Sequence, residues 1–276
     1  MEIGVMFWAE PDPVAAIRRV KACGVRCGQL GIPPAMRLAA PEWKAALALE
    51  QFRVVTVFGA YDGESYADIP TVQRTVGFVP LATRAEREAR TCAISDFAAA
   101  LGVASIACHI GFVEQDPTVI DTVRRVADHA GRNHQTFALE TGQEPAGVLL
   151  RFLEDVGRPN VCINFDPANM ILYGSGDPIE ALGVLAPYVV SVHCKDGDWP
   201  DSPGALGRER PLGEGSVGIE RFIAKLNEIG YRGTLNIERE GADADQKWCD
   251  VAAAVALLRR LPGPCIGADT ASSKCP

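Results

Sequence analysis

Short apolar runs alternate with amphipathic stretches along almost the whole chain. The runs cover 2–8, 26–32, 52–61, 104–112, 136–142, 161–167, 189–196 and 233–240, and most lack a polar outer face. That is the pattern of strands covered on both sides, as in a parallel sheet clothed by helices. Between them, apolar residues recur at helical spacing over 13–24, 41–51, 83–102, 117–133, 144–156, 177–186, 218–229 and 243–260. Pro13 and Pro41 stand in the first turns of their helices, and Gly24 and Gly102 close theirs. Eight strands, each followed by a helix, predict an α/β fold: a parallel (β/α)8 TIM barrel in a single domain over 1–262. The segment 263–276 has no periodicity and is expected to be a loose tail. A doubly wound open sheet is the rival. It often carries a glycine-rich turn after its first strand, where this chain has "WAEPDP".

Composition narrows the function classes. The 276 residues carry a net charge of −8, which disfavours general affinity for nucleic-acid phosphates. No run of about 18 apolar residues occurs, so no membrane span is expected. The start "MEIGVMFWAEPDP" lacks a basic stretch before an apolar region, and a cytoplasmic location is the expectation. Nine cysteines are scattered without a C-x-x-C pair and read as reduced, structural thiols. A homo-oligomer is left open.

In barrels of this type, chemistry sits at the C-terminal ends of the strands. Those ends carry His109, Glu140, Asp166, His193 and Glu238. The last four lie on strands five to eight. Neighbouring strands run ~5 Å apart, so inward side chains at one height converge. Three carboxylates and an imidazole suit one divalent ion: Mn²⁺ first, with Mg²⁺, Co²⁺ or Zn²⁺ as alternatives. Each residue taken singly has a duller explanation. Asp166 precedes Pro167 and could start a turn, and Glu238 could pair with Arg239 or Arg232.

The segments "LETGQE" (139–144), "NFDPANM" (164–170), "SVHCKDG" (191–197), "PLGEG" (211–215) and "IERE" (237–240) resemble the sugar phosphate isomerase/epimerase group of the xylose isomerase-like TIM barrels. The resemblance implies one metal held by Glu140, Asp166, His193 and Glu238. Glu140 and Glu238 would double as acid and base on opposite faces of a small keto sugar or sugar phosphate, through an enediolate. A leaving group β to the carbonyl would turn the same chemistry into a lyase or dehydratase acting on a 3-keto-glycoside or keto-inositol. A non-catalytic sugar-binding barrel is the third alternative.

The pattern also departs from its relatives. Asn169 stands where ketose 3-epimerases of the group carry a histidine that contacts sugar oxygens, and Trp199 stands where they carry an arginine. Xylose isomerase proper has a lysine near Gly142, Gln143 and Glu144. The three-zinc endonuclease branch needs more histidines than the four present. His109, Lys195, Asn169 and Trp8 are the candidate substrate contacts, with Asn164 supporting the ligands from below. "PLGEG" is expected to act as a lid whose glycines permit closure.

Overall fold

A computed structural model of the chain describes residues 1–114, 116–202, 204–241 and 243–261. The barrel strands are β1 (Ile3–Trp8), β2 (Cys27–Ile32), β3 (Arg53–Gly59), β4 (Ser105–Cys108), β5 (Thr136–Glu140), β6 (Val161–Phe165), β7 (Val189–Cys194) and β10 (Leu235–Ile237). A separate two-stranded ribbon comprises β8 (Asp196–Asp198) and β9 (Arg208–Arg210). The helices are α1 (Pro13–Ala22), α2 (Ala40–Glu50), α3 (Ile69–Thr75), α4 (Leu81–Leu101), α5 (Val119–Arg132), α6 (Ala146–Val156), α7 (Pro167–Tyr173), α8 (Pro178–Leu185), α9 (Ile219–Glu228) and α10 (Ala244–Arg260).

The eight barrel strands pair in parallel and close in the order β1-β10-β7-β6-β5-β4-β3-β2. This is the (β/α)8 TIM barrel that the alternation predicts. The main apolar core lies between strands and helices, with Trp43, Phe78, Phe137, Phe165 and Phe222 fully buried. A smaller cluster of Met6, Phe58, Ala107 and Ala138 fills part of the lumen. Helix ends follow local chemistry. Asp12 caps α1 by accepting from the Val14 and Ala15 amides, ahead of Pro13. Gly102 ends α4 at φ +77°.

Three differences from the sequence expectations matter for the site. The eighth strand is only three residues long, so Glu238 follows it rather than lying within it. Helix α7 starts directly after Asp166, whose Oδ1 caps it by accepting from the Asn169 amide at 2.9 Å. The stretch expected as a loop after strand seven holds the β8–β9 ribbon, and "PLGEG" is pinned there. Asp196 accepts from the Gly197, Gly213 and Val217 amides at 2.9–3.0 Å, and a Cβ on Gly215 would lie 2.4 Å from its Oδ1. Close approach, more than closure, explains that glycine.

Cys27, Cys108 and Cys194 are buried thiols, and Cys194 faces the helix-side core, away from the lumen. Among the described residues, no helix is long and apolar enough to cross a membrane. The expected tail at 263–276 lies outside the described residues.

Candidate metal centre

Strands β5, β6, β7 and β10 are consecutive around the barrel, and each delivers one polar residue to its C-terminal rim. One ligand atom from each of Glu140, Asp166, His193 and Glu238 lies within 4.8 Å of all the others. His193 Nδ1 is at their centre: 3.0 Å from Glu140 Oε1, 3.1 Å from Glu238 Oε2 and 3.4 Å from Asp166 Oδ2. Despite that proximity, neither His193 Nδ1 nor Asp166 Oδ2 has a hydrogen-bond partner, although both atoms are buried. Buried polar atoms without partners are costly, and a cation among three carboxylates and a ring nitrogen would satisfy both. The four residues could therefore hold a metal ion, and their oxygen-rich donor set fits a hard or borderline divalent one.

Charge is distributed unevenly across the cluster. Burial alone would push every ionised form toward neutrality, and its outcome depends on neighbours. For Glu140, burial dominates over the attraction of His193 and raises its carboxyl above the ordinary value. For Glu238, burial is outweighed by His193 and Lys195, which hold it well below. Burial would depress Lys195, but the charges of Glu238 and Glu240 keep its ammonium well above the usual lysine value.

The remaining candidates fall into place around these four. Lys195 Nζ reaches Glu238 Oε2 at 3.0 Å, and Glu240 Oε2 and Asn169 Oδ1 at 3.4 Å. Asn169 Nδ2 in turn donates to Glu140 Oε1 at 3.4 Å. His109 follows β4, and its Nδ1 accepts from Gln143 Nε2 at 3.3 Å. Its ring lies against Phe58 and Tyr66, and burial pushes its pKa down to about 3. The imidazole is therefore neutral. Trp8, half-buried at the end of β1, packs on the lumen cluster of Met6 and Phe58. His129 instead forms a surface pair with Asp96 at 2.7 Å. Arg239 turns away from Glu238 to bind Asp250 and Glu209.

One participant escapes a reading of strand ends. Gln29 lies in the middle of β2 and is fully buried in the lumen, with its Oε1 2.8 Å from His193 Nε2. The available signal was a lone amide between two glycines in a strand that is otherwise buried and largely apolar.

A family model described as xylose isomerase-like TIM barrel matches residues 17–261. A xylose isomerase domain protein from Planctomyces limnophilus is 44% identical, with a TM-score of 0.88 over 94% of this chain and 96% of that one. A xylose isomerase-like TIM barrel protein from Mycobacterium smegmatis, solved in complex with magnesium, is 18% identical. Its TM-score is 0.71 over 93% and 95% of the two chains. D-Psicose 3-epimerase from Clostridium cellulolyticum H10, solved with D-tagatose, is 18% identical with a TM-score of 0.72, over 96% of this chain and all of that one. The first curated relatives, both uncharacterized, align with this chain over only 30% and 29% of their own length.

Proposed function

We propose that this chain, which belongs to the xylose isomerase-like TIM barrel family, is a divalent-metal-dependent isomerase or epimerase of a small keto sugar. The observation that carries the proposal is the convergence of Glu140, Asp166, His193 and Glu238 around two buried, unpartnered ligand atoms. The magnesium of the Mycobacterium smegmatis protein and the ketose chemistry of the Clostridium cellulolyticum enzyme support it.

Glu140, Asp166, His193 and Glu238 would hold the ion, with Mn²⁺ as the first choice. Such an ion supplies Lewis-acid polarisation of a carbonyl and the hydroxyl beside it. The protein's own part is to place two carboxylates for proton transfer on opposite faces of the sugar. Glu140 is constrained at both oxygens: Asn164 Nδ2 donates to Oε2, and Asn169 Nδ2 donates to Oε1. Glu238 meets Lys195 and His193 through Oε2. We assign proton removal to Glu238, kept ionised by Lys195, and proton return to Glu140. Lys195 and Asn169 orient sugar oxygens at the rim, the neutral His109 offers a further hydrogen bond, and Trp8 offers an apolar face.

The test is deuterium exchange at the carbon beside the carbonyl of a ketose substrate, followed by NMR. Assayed in excess Mn²⁺ so that the site stays occupied, Glu238→Gln should abolish the exchange while largely retaining substrate binding. Exchange at the wild-type rate in the variant would remove Glu238 from the mechanism.

A further inference from the structure

The polar floor beneath the cluster is more ordered than a metal site strictly needs. Gln29 Nε2 donates to Asn164 Oδ1 at 2.8 Å and to Ser191 Oγ at 2.6 Å, across the lumen from β2 to β6 and β7. The Glu140 carboxylate takes Asn164 Nδ2, which turns Asn164 Oδ1 toward Gln29 and so fixes the donor end of the Gln29 amide. Its carbonyl Oε1 is left pointing at His193 Nε2, 2.8 Å away. Asn164 Nδ2, a donor, also lies 3.1 Å from His193 Nε2, but it makes its shorter contact to Glu140 Oε2. The nearer neighbour of Nε2 is the Gln29 oxygen, which only accepts, so the hydrogen belongs on Nε2. With Nε2 holding its hydrogen, the proton that a bound cation would displace is the one on Nδ1, the buried atom that faces the three carboxylates. The ring then presents its lone pair there. The same Asn164 bond places Glu140: with Oε2 held by Asn164 Nδ2, Glu140 Oε1 is left toward His193 Nδ1.

The backbone is irregular at these same residues. Between Gly28 and Gln29 the pairing partner on β3 jumps from Val54 to Thr56. Between Ile163 and Asn164 the partner on β7 jumps from Val189 to Ser191. An extra residue in a strand reverses the facing of everything after it, and such bulges re-aim side chains near functional sites. Here the extra Val190 sets the phase that turns Ser191 and His193 into the lumen. Gly28 also lets β1 come close: a Cβ there would lie 2.2 Å from the Val5 carbonyl oxygen.

We infer that Gln29 is a positioning residue for the metal site. From the opposite wall of the barrel, it sets the tautomer of His193 directly and the rotamer of Glu140 through Asn164. This rests on the metal-site reading above. Outer-shell partners of this kind change metal affinity by roughly 10- to 100-fold when removed.

The experiment is calorimetric titration of Mn²⁺ into metal-free wild type, Gln29→Met, Gln29→Glu and Ser191→Ala. Thermal melts of the metal-free proteins are run alongside. Methionine keeps the length and removes the acceptor, so Mn²⁺ affinity should fall roughly 10- to 100-fold. Glutamate restores an acceptor for Nε2–H but not the donor to Asn164, and should recover only part of that loss. Ser191→Ala removes only one of the two anchors of the amide and should weaken binding measurably, by a smaller factor than Gln29→Met. ¹⁵N spectra of the Mg²⁺-loaded wild type should show His193 protonated at Nε2.

Gln29→Met binding Mn²⁺ within a factor of two of wild type would overturn the inference, even if its melting point drops, because a purely structural amide predicts that pattern. Should Gln29→Met fail to fold, unchanged affinity in Ser191→Ala, or His193 protonated at Nδ1 in the spectra, would overturn it as well. Failure of the wild type itself to bind metal is a separate result, which removes the metal-site proposal.

Discussion

Replacing Glu144 by glutamine should stabilise the fold, and by an amount that grows with pH. Glu144 is buried, and its Oε1 accepts from the Val113 amide at 2.7 Å. Burial pushes its carboxyl up to about 7, against 4.5 for the free side chain, with the amide of Val113 pulling weakly the other way. The folded state therefore prefers the protonated form, and its favourable contribution is complete below about pH 4.5. As pH rises from there to about 7, the unfolded chain ionises first and the native state loses ground. Above pH 7 the deficit levels off at about 3 kcal/mol. Glutamine keeps an Oε1 for Val113 and has no charge to desolvate. Urea melts with a chelator present, at pH 5 and pH 8, isolate the effect, since other titrating groups cancel between wild type and variant. The stability gain of Glu144→Gln should be below about 1 kcal/mol at pH 5 and larger by about 2–3 kcal/mol at pH 8. Parallel stability curves for the two proteins would show that Glu144 is ionised in the fold and would refute the reasoning.

Other perturbations probe the site itself. Lys195→Met removes the cation 3.0 Å from Glu238 and should slow α-proton exchange roughly 10- to 100-fold. Because Glu238 loses the charge that keeps it ionised, the acidic limb of the pH–rate profile should move to higher pH; an unmoved limb would contradict the assignment. Gly142→Ala introduces a Cβ 2.2 Å from Asn169 Cβ at φ +135°, so it should cost roughly 2 kcal/mol or more in thermal melts. Gly102→Ala is the control. Its φ is also positive, at +77°, but the space around it is open, and only about 1 kcal/mol of backbone strain is expected.

Much of the barrel was legible because each strand and helix carries its own periodic signal. Glu140, Asp166 and His193 also announced themselves, since each breaks an apolar run one strand-plus-helix unit after the last. What escaped were features without a period. Helix α3, helix α7 and the β8–β9 ribbon are three to seven residues long and read as loop. Asp166 looked like either a turn former or a ligand; one oxygen caps α7 while the other faces the cluster, so the alternatives were never exclusive. Gln29 was missed for another reason. Its partners lie 135 to 164 residues away and meet it only through closure of the barrel and two bulges, which hydrophobic pattern does not encode.

Metal stoichiometry on the purified protein, beside Asp166→Asn, bears most directly on the proposed function. Asparagine is as good a helix cap as aspartate and can still accept from the Asn169 amide, so α7 should stay intact. What it removes is one anionic oxygen of the cluster. After loading with Mn²⁺ and desalting, about one equivalent per wild-type chain and little or none in the variant is the expected result. A wild type that holds no divalent ion after reconstitution, or a variant that holds it as tightly as the wild type, would contradict a metal site at Glu140, Asp166, His193 and Glu238.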